Sequence, residues 1–227
     1  MDNEVGSVDR VYRRVKEMAA SYEFKPDERL NESALSAQLE TSRTPLREAL
    51  NRLVAEGFLK FHRGRGFFCR SLNPQEIMNL YEARAAIEAE AVRLAALRAE
   101  PEEVEDLSRF LEDTKPQYRP GASPVELVRV DETFHLGLAK LAKNAELVRL
   151  LENVNGRIHY VRLIDLRSLS ERGGAEAITI EPHTCILEAV QRGDADRASR
   201  EIRNHIERRL EEVTQNVRLA FSQLYAP

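Results

Sequence analysis

The sequence predicts a mainly α-helical protein, with an N-terminal winged helix-turn-helix domain followed by an antiparallel all-α bundle of six or seven helices. Two observations predict this class. Apolar residues recur at helical spacing along nearly all of the 227 residues, and strand-like residues are confined to a short stretch at 58–69. With 42% hydrophobic residues, the chain can bury two modest cores. We expect a first domain over 1–70, a linker over 71–75 and a second domain over 76–220.

The composition argues against several classes of protein. No apolar run approaches the roughly 18–20 residues that span a bilayer. The N-terminal MDNEVGSVDR lacks the basic start and apolar core of a signal peptide. The two cysteines, Cys69 and Cys185, are far apart and have no metal-ligand spacing. We therefore expect a cytoplasmic protein with no membrane partner and no disulfide framework.

Three helices are predicted in the first domain. Apolar residues at helical spacing predict the first over 8–22, and Asn31 can cap a short second helix, ESALSAQL. Ser42 can cap the third helix, which tolerates Pro45 in its first turn and ends before Gly57. The inward stripe of this third helix consists of three leucines: Leu46, Leu50 and Leu53.

A β-hairpin is predicted directly after the third helix. Two short runs of strand-like residues, 58–61 and 67–69, flank the sequence Arg63-Gly64-Arg65-Gly66. Its basic tip, Arg63, Gly64 and Arg65, could reach phosphates or a neighbouring groove of DNA. Three helices followed by a two-stranded ribbon describe a winged helix-turn-helix.

The start of the third helix carries the residues expected to read DNA. Residues 43–70 contain seven basic and two acidic side chains, although the net charge of the whole chain is −4. In a helix-turn-helix the N-terminal end of the second helix of the motif lies nearest the bases, and here that end holds Arg43, Thr44 and Arg47. Arginine can donate two hydrogen bonds to a guanine. The alternative is a solvated helix start without a partner, against which the basic hairpin tip argues.

The predicted helices and the hairpin of the first domain also resemble those of a known protein family. The stretch LNESALSAQLETSRTPLREALNRLVAEGFLKFHRGRGFF resembles the winged-helix domain of GntR-family transcription regulators, with matches at 42–45, 47–50 and 53–57. The resemblance implies DNA contacts from Arg43, Thr44 and Arg47 at the helix start and from Gly64 on the wing. We also expect Ser42, which begins the matching run, to contact DNA. Some members have a DNA-contacting arginine where this chain has Ser33, and Glu40-Thr41 replaces a more usual Gly-Val pair.

The second domain is predicted to contain helices only. Proline and glycine breaks separate six segments with helical periodicity. The predicted helices cover 74–99, 101–115, 124–142, 144–169, 176–192 and 194–218.

Four histidines lie in this predicted bundle, and three of them suggest a metal site. Asp131 and His135 are four residues apart and therefore project from the same helix face, while His183 and His205 lie on later helices. Three imidazoles and a carboxylate suit Zn²⁺ and would also accept Ni²⁺, Mn²⁺ or Fe²⁺. The alternative for each histidine is an ordinary hydrogen-bonded core residue, and the pattern alone does not decide between the two interpretations.

Arg84 is the second informative residue of the bundle. It lies in the middle of an otherwise apolar helix stripe, where a guanidinium requires an anionic partner. That partner could be Glu88, one turn further along the helix, or the carboxylate of a bound effector whose other end coordinates the metal. The sequence is compatible with either partner.

Residues 76–217 resemble the FCD ligand-binding domain that follows the winged helix in the FadR subfamily. The matching pieces are 81–88, 131–135 and 183–194, with His205 in addition. The metal-binding branch of that domain uses an aspartate and three histidines, which the resemblance assigns to Asp131, His135, His183 and His205. A count of six helices is typical of the VanR-type branch. His159 matches no ligand position and is expected to pack or to support the site.

These features predict a ligand-responsive transcription regulator of the repressor type, and not an enzyme. The resemblance implies a homodimer that binds a short palindromic DNA operator and senses a small carboxylate. One alternative is a sensor whose effector is the metal ion itself. The other is a metal-dependent hydrolase, which the sequence disfavours because it places no obvious general base at the site.

Overall fold

The computed structural model describes residues 2–118, 122–171, 180–207 and 213–225. The chain divides into two compact units. The first takes in the chain up to Asn73 together with the C-terminal residues from Phe221, and the second runs from Pro74 to Ala220.

The first unit is a winged helix-turn-helix, as predicted. Its helices are α1 (Asp2–Ala20), α2 (Glu32–Gln38) and α3 (Arg43–Ala55), and its strands are β1 (Leu59–His62) and β2 (Gly66–Cys69). The strands pair antiparallel, from Leu59 opposite Cys69 to His62 opposite Gly66. The hairpin loop is therefore Arg63-Gly64-Arg65, and Gly64 adopts the left-handed backbone conformation, with φ of 76°, that such a tight loop requires.

Burial of one face of α3 holds this helix in the unit. The three leucines of its predicted inward stripe, Leu46, Leu50 and Leu53, are fully buried, as is Phe58 in the chain that follows. At about 25 cal/mol per Å² of apolar surface, each such side chain contributes about 2 kcal/mol. The polar face of the same helix is consequently left for solvent or for a partner.

The starts of α2 and α3 differ in how they are capped. The Asn31 side chain accepts hydrogen bonds from the backbone nitrogens of Ser33 and Ala34, both at 3.1 Å, as predicted. Ser42 occupies the N-cap position of α3, but its side chain makes no capping bond, so the predicted role of its hydroxyl is wrong. The turn between the helices places Glu40 at a φ of 49°, in the left-handed region.

The second unit consists of helices. Among its described residues there are seven, the larger of the two predicted numbers, and the six-helix count that favoured the VanR-type branch is not supported. The predicted last helix, 194–218, corresponds to two described helices, and residues 176–179 of the predicted fifth helix lie outside the described ranges. The helices are α4 (Pro74–Arg98), α5 (Pro101–Thr114), α6 (Pro124–Leu141), α7 (Ala145–Glu171), α8 (Glu181–Gln191), α9 (Ala195–Glu207) and α10 (Val213–Tyr225). The residues of α10 from Phe221 onward belong to the first unit.

Helix α4 lies at the centre of this bundle, because it packs against α6, α7, α8 and α9. Helices α6 and α7 run antiparallel: Ala139 near the end of α6 packs with Leu151 near the start of α7, and Val128 packs with Leu166. None of the helices in the described part of the chain combines the length and the apolar character needed to cross a membrane.

Candidate functional site

The predicted DNA-contacting residues of the first unit lie at its surface. At the start of α3 the side chains of Ser42, Arg43, Thr44 and Arg47 are exposed, and so is the wing tip at Arg63, Gly64 and Arg65. The helix start is uncapped by side chains, so its backbone N–H groups and their partial positive charge face outward with the arginines.

Side chains of α2 contact the two arginines at the start of α3. Arg43 Nη2 donates a hydrogen bond to Ser33 Oγ at 3.2 Å, and Arg47 Nε lies 3.6 Å from Glu32 Oε2. The Arg47 side chain is nevertheless 54% exposed, so both arginines remain accessible to a partner.

Arg29 is a further basic residue at this surface that the sequence analysis missed. Its backbone forms an isolated antiparallel β-bridge with Phe68, which fixes Arg29 against the wing. It lines the same groove as Arg43 and Arg47. The signal that could have identified it is a basic residue two positions before the predicted cap at Asn31.

In the second unit, the four predicted metal ligands come together from three helices. Asp131 and His135 lie on α6, His183 on α8 and His205 on α9, and one ligand atom from each lies within 4.8 Å of every other. His183 Nε2 is 3.1 Å from Asp131 Oδ1, and His135 Nε2 is 3.6 Å from Asp131 Oδ2. The centres of the His183 and His205 rings are 4.7 Å apart.

The chemistry of this donor set fits a divalent metal ion. Burial lowers the pKa of His135 although the neighbouring Glu88 and Asp131 oppose the shift, and burial together with the two other imidazoles lowers the pKa of His205 far below its ordinary value. These rings are therefore neutral, as ligation requires. Within the described residues His135 Nε2 and His183 Nδ1 are buried without a hydrogen-bond partner, which is costly unless something else binds them.

A carboxylate behind the cluster orients His135. Glu88 Oε2 is hydrogen-bonded to His135 Nδ1, so the other ring nitrogen, Nε2, faces the cluster. Glu88 Oε1 accepts a hydrogen bond from Arg84 Nε at 2.5 Å. Burial disfavours the Glu88 anion, but Arg84 and His135 outweigh burial and lower the pKa of Glu88 to about 2. Glu88 is therefore ionised and joins Arg84 to the cluster.

The contact between Arg84 and Glu88 is one of the two alternatives that the sequence left open. It does not use the whole guanidinium, since Arg84 Nη2 is buried and has no hydrogen-bond partner among the described residues. Arg84 can thus bind Glu88 and still have one nitrogen directed to a further anion.

Arg162 on α7 is a second buried arginine of the site, and the sequence analysis missed it. It forms ion pairs with Asp131, through Nη2, and with Glu132, through Nη1 at 3.1 Å. Burial disfavours the Asp131 anion, but the guanidinium of Arg162 holds the pKa of that carboxyl well below its usual range. His159 Nδ1 lies 3.2 Å from Glu132 Oε1, so His159 supports the site and stands outside the ligand set. The sequence feature that could have identified Arg162 is a charged residue in an otherwise apolar stripe of α7.

Two uncharged polar groups complete the surroundings. The Tyr118 ring contacts the His183 ring with centres 5.3 Å apart, and burial and the Asp131 charge raise the pKa of Tyr118, so the phenol is neutral. Asn155 on α7 is 3% exposed, and neither atom of its amide has a hydrogen-bond partner within the described residues. The hydroxyl oxygen of Tyr118 is likewise buried without one.

Two protein-family models match the chain. The model described as bacterial regulatory proteins, gntR family, matches residues 7–69, and the FCD domain matches residues 79–208. The exposed arginine surface lies in the first match, and the four-residue cluster lies in the second. Both families consist of transcription regulators, which confirms the prediction that the chain is not an enzyme and removes the hydrolase alternative.

Full-length similarity supports the same assignment. The chain is 38% identical over 210 residues to the Nta operon transcriptional regulator of Aminobacter aminovorans, covering 92% of this chain and 95% of that protein. It is 33% identical over 195 residues to an uncharacterized HTH-type transcriptional regulator, YdhC, of Bacillus subtilis, covering 86% and 85%. The structure of E. coli McbR/YncC shares the fold, with a TM-score of 0.67 at 21% identity over 96% of this chain and 98% of that one. The chain belongs to the gntR family of bacterial regulatory proteins and is a DNA-binding transcription regulator with an FCD effector-binding domain.

Proposed function

We propose that this regulator is a repressor whose affinity for DNA responds to a small carboxylate bound at a divalent metal site in the second unit. Zn²⁺ suits three neutral imidazoles and one carboxylate, and Ni²⁺, Mn²⁺ or Fe²⁺ would be accepted by the same donors. The four residues that would hold the ion are Asp131, His135, His183 and His205.

One observation carries this proposal: the four donors converge within 4.8 Å of one another, and His135 Nε2 and His183 Nδ1 are left without hydrogen-bond partners in the described structure. Three imidazoles and one carboxylate that converge this closely are typical of a metal centre rather than of a polar core. A metal ion bound there would offer a Lewis-acidic position to an anionic oxygen of the effector.

Arg84 supports the assignment of a carboxylate as the effector. Its Nη2 is buried, cationic and free of hydrogen-bond partners in the part of the chain that the structure describes. A carboxylate that accepts from this nitrogen would remove the cost of that unpaired buried donor. The expected contact with Glu88 is also made, so we propose that Arg84 serves both partners.

DNA binding would use the groove side of α3 together with the wing. Arg43, Thr44 and Arg47 would read base edges, the exposed hydroxyl of Ser42 would contact the backbone at the helix start, and Arg63, Gly64 and Arg65 would contact phosphates or an adjacent groove. We propose a homodimer that places two such surfaces on a short palindrome. A regulator of this kind acts where the genomic DNA is, in the bacterial cytoplasm.

Effector binding can change DNA affinity only if the effector binds two states of the protein unequally. The name of the Aminobacter relative supports control of an operon. A repressor that releases DNA when its acid accumulates requires a coupling free energy of about 1–3 kcal/mol between the two sites, which corresponds to a change of about 5- to 150-fold in affinity.

The test measures DNA release. Operator duplexes are selected from a random pool with the full chain, and their affinity is measured by fluorescence anisotropy. The wild type loaded with zinc, the same protein treated with a chelator and the variant His183→Ala are titrated with a panel of small mono- and dicarboxylates. We expect at least one acid to release DNA from the loaded wild type only.

Two outcomes contradict the proposal. Release by zinc alone, without any acid, would identify the metal ion as the effector. Equal metal content in the wild type and in His183→Ala, measured on the purified proteins, would show that the cluster is not a metal site.

A further inference from the structure

Arg29 lies in the segment that leads into α2 and is absent from the DNA contacts proposed above. The backbone of this segment is held against β2 on both sides of Arg29. Leu30 N donates a hydrogen bond to Phe67 O at 2.9 Å. Cys69 N donates one to Glu28 O, also at 2.9 Å. Together with the β-bridge at Arg29 itself, these bonds fix its backbone to the wing.

The side chain of Arg29 extends from this fixed backbone into the groove at the start of α3. Leu30 is buried, and because neighbouring side chains of an extended segment point to opposite faces, Arg29 points outward and is exposed. A β-carbon placed on Gly66, the first residue of β2, would lie 3.9 Å from Arg29 Nε. Arg29 lines the groove together with Arg43 and Arg47. Its guanidinium therefore lies between the start of α3 and the wing.

The groove carries an excess of positive charge. Three arginines line it together with one carboxylate, that of Glu32, which lies 3.6 Å from Arg47 Nε. Arg43 donates a hydrogen bond to the neutral hydroxyl of Ser33. The Arg29 side chain makes no ion pair or hydrogen bond with any residue that the structure describes. Because a guanidinium keeps its charge at every physiological pH, this unpaired cation attracts an anion.

Side chains, and not the start of α2, supply the donors for that anion. Asn31 Oδ1 already accepts hydrogen bonds from the backbone nitrogens of Ser33 and Ala34. The arginines are therefore the donors that remain in the groove. Arg29 is also attached to the wing and not to the helix whose start would read the bases. Residues placed beside a reading helix contact the DNA backbone and fix the position of the protein on it.

Resting on the proposed DNA-binding surface, we infer that Arg29 binds a phosphate of the operator backbone between the part of the DNA contacted by α3 and the part contacted by the wing. The contact is independent of base sequence, because every nucleotide carries the same phosphate. It also sets the register of the two reading elements. Since the Arg29 backbone is bonded to β2 while its side chain lies in the groove of α3, one phosphate would be held at a fixed place relative to both.

The first measurement compares Arg29→Ala with the wild type by fluorescence anisotropy, on the selected operator and on a random duplex, at several salt concentrations. We expect the affinity of Arg29→Ala to fall about tenfold for both duplexes, so that the ratio of the two affinities stays as in the wild type. The slope of log affinity against log salt should decrease by about 1 for each bound subunit, because one fewer phosphate is neutralised.

The second measurement identifies the phosphate. Operator duplexes are made with a single methylphosphonate, which is a neutral analogue of the phosphate, at each position of a half-site in turn. We expect at least one position where this change weakens binding of the wild type and leaves binding of Arg29→Ala unaltered. Such non-additivity between a side chain and a phosphate indicates that the two are in contact.

Two further variants separate a DNA contact from a loss of charge or of structure. Arg29→Lys keeps the positive charge and should recover most of the affinity and the salt slope. Arg14→Ala removes an exposed arginine of α1 that already pairs with Glu17 and Glu23, and it should bind both duplexes like the wild type. Hydrogen exchange of the β2 amides checks that the wing of Arg29→Ala is intact.

Each other outcome has a distinct meaning. Loss of the selected operator alone in Arg29→Ala would make Arg29 a base-reading residue and overturn the phosphate contact. Unchanged affinity and salt slope would show that Arg29 is merely solvated. Faster exchange in β2, with no phosphate position that loses its effect, would give Arg29 a structural role only. If Arg47→Ala binds the selected operator as tightly as the wild type, the proposed DNA-reading surface itself fails, whatever Arg29 does.

Discussion

Glu88 on α4 and His135 on α6 are 47 residues apart in the sequence and share a hydrogen bond in the core of the second unit. The same carboxylate accepts from Arg84 on its other oxygen, so a cation, an anion and an imidazole form one chain. The Glu88 hydrogen bond determines which nitrogen of His135 faces the cluster, and through Glu88 it connects Arg84, the proposed effector-binding residue, to His135.

Replacing Glu88 by Gln should therefore weaken metal binding without removing a ligand. The amide keeps the size of the side chain but no longer carries the negative charge that raises the basicity of His135. We expect the zinc affinity of Glu88→Gln to fall about 10- to 100-fold, as is usual for such supporting residues. Competition against a chromophoric chelator measures the affinity.

The control for this variant is Glu90→Gln, because Glu90 is an exposed glutamate on the same helix that pairs with Arg93. It should bind zinc like the wild type. Unchanged affinity in Glu88→Gln, in protein with native circular dichroism, would mean that the hydrogen bond to His135 has no influence on the ion.

The sequence predicts the parts of this site that depend on spacing within one helix, and it does not predict contacts between helices. Asp131 and His135 follow from a spacing of four along one helix, and Pro74, Pro101 and Pro124 correctly begin α4, α5 and α6. The Glu88–His135 hydrogen bond joins α4 and α6, and no local sequence pattern predicts how these two helices align with each other. Arg162 could have been found by the reasoning applied to Arg84, since both interrupt a buried stripe.

The proposed DNA contacts on α3 and on the wing should differ in their effects: a contact to a base contributes to specificity, and a contact to a phosphate contributes to affinity for any sequence. Arg47→Ala should reduce the affinity for the selected operator by about 1–3 kcal/mol and reduce specificity at one position. Arg65→Ala should weaken specific and random DNA alike and lower the slope of log affinity against log salt by about 1. Anisotropy titrations at several salt concentrations separate these two patterns.

Arg109→Ala serves as the control for both, because Arg109 is an exposed arginine of the second unit that pairs with Asp106 on α5. It should leave affinity and salt slope unchanged. Arg47 would not read bases if Arg47→Ala lost selected and random DNA to the same extent.

Glu40 should be a weak point in the turn of the helix-turn-helix. Its φ of 49° is strained for a residue with a Cβ, and glycine adopts this conformation without that strain. Glu40→Gly should therefore stabilise the first unit by about 0.5–1 kcal/mol, the net of relieved strain and a more flexible unfolded chain.

Hydrogen exchange of the amides in α2 and α3, followed by mass spectrometry, measures this local free energy. Glu40→Ala is the matched comparison, since it removes the same carboxylate but keeps the Cβ and should show no gain. Equal slowing of exchange in both variants would attribute the effect to the lost charge.

Cys69, at the end of β2, should be unreactive in the folded protein. Its side chain is fully buried, its Sγ lies 3.5 Å from the Phe24 carbonyl oxygen, and burial raises the pKa of the Cys69 thiol to about 12. Only the thiolate reacts, and at pH 8 about one Cys69 thiol in ten thousand is ionised. A disulfide reagent at that pH should therefore modify at most one thiol rapidly, that of the partly buried Cys185. Both thiols should react in denaturant, and native Cys185→Ser should show no rapid reaction. Rapid modification of two thiols in the native protein would mean that the wing opens far more often than its burial implies.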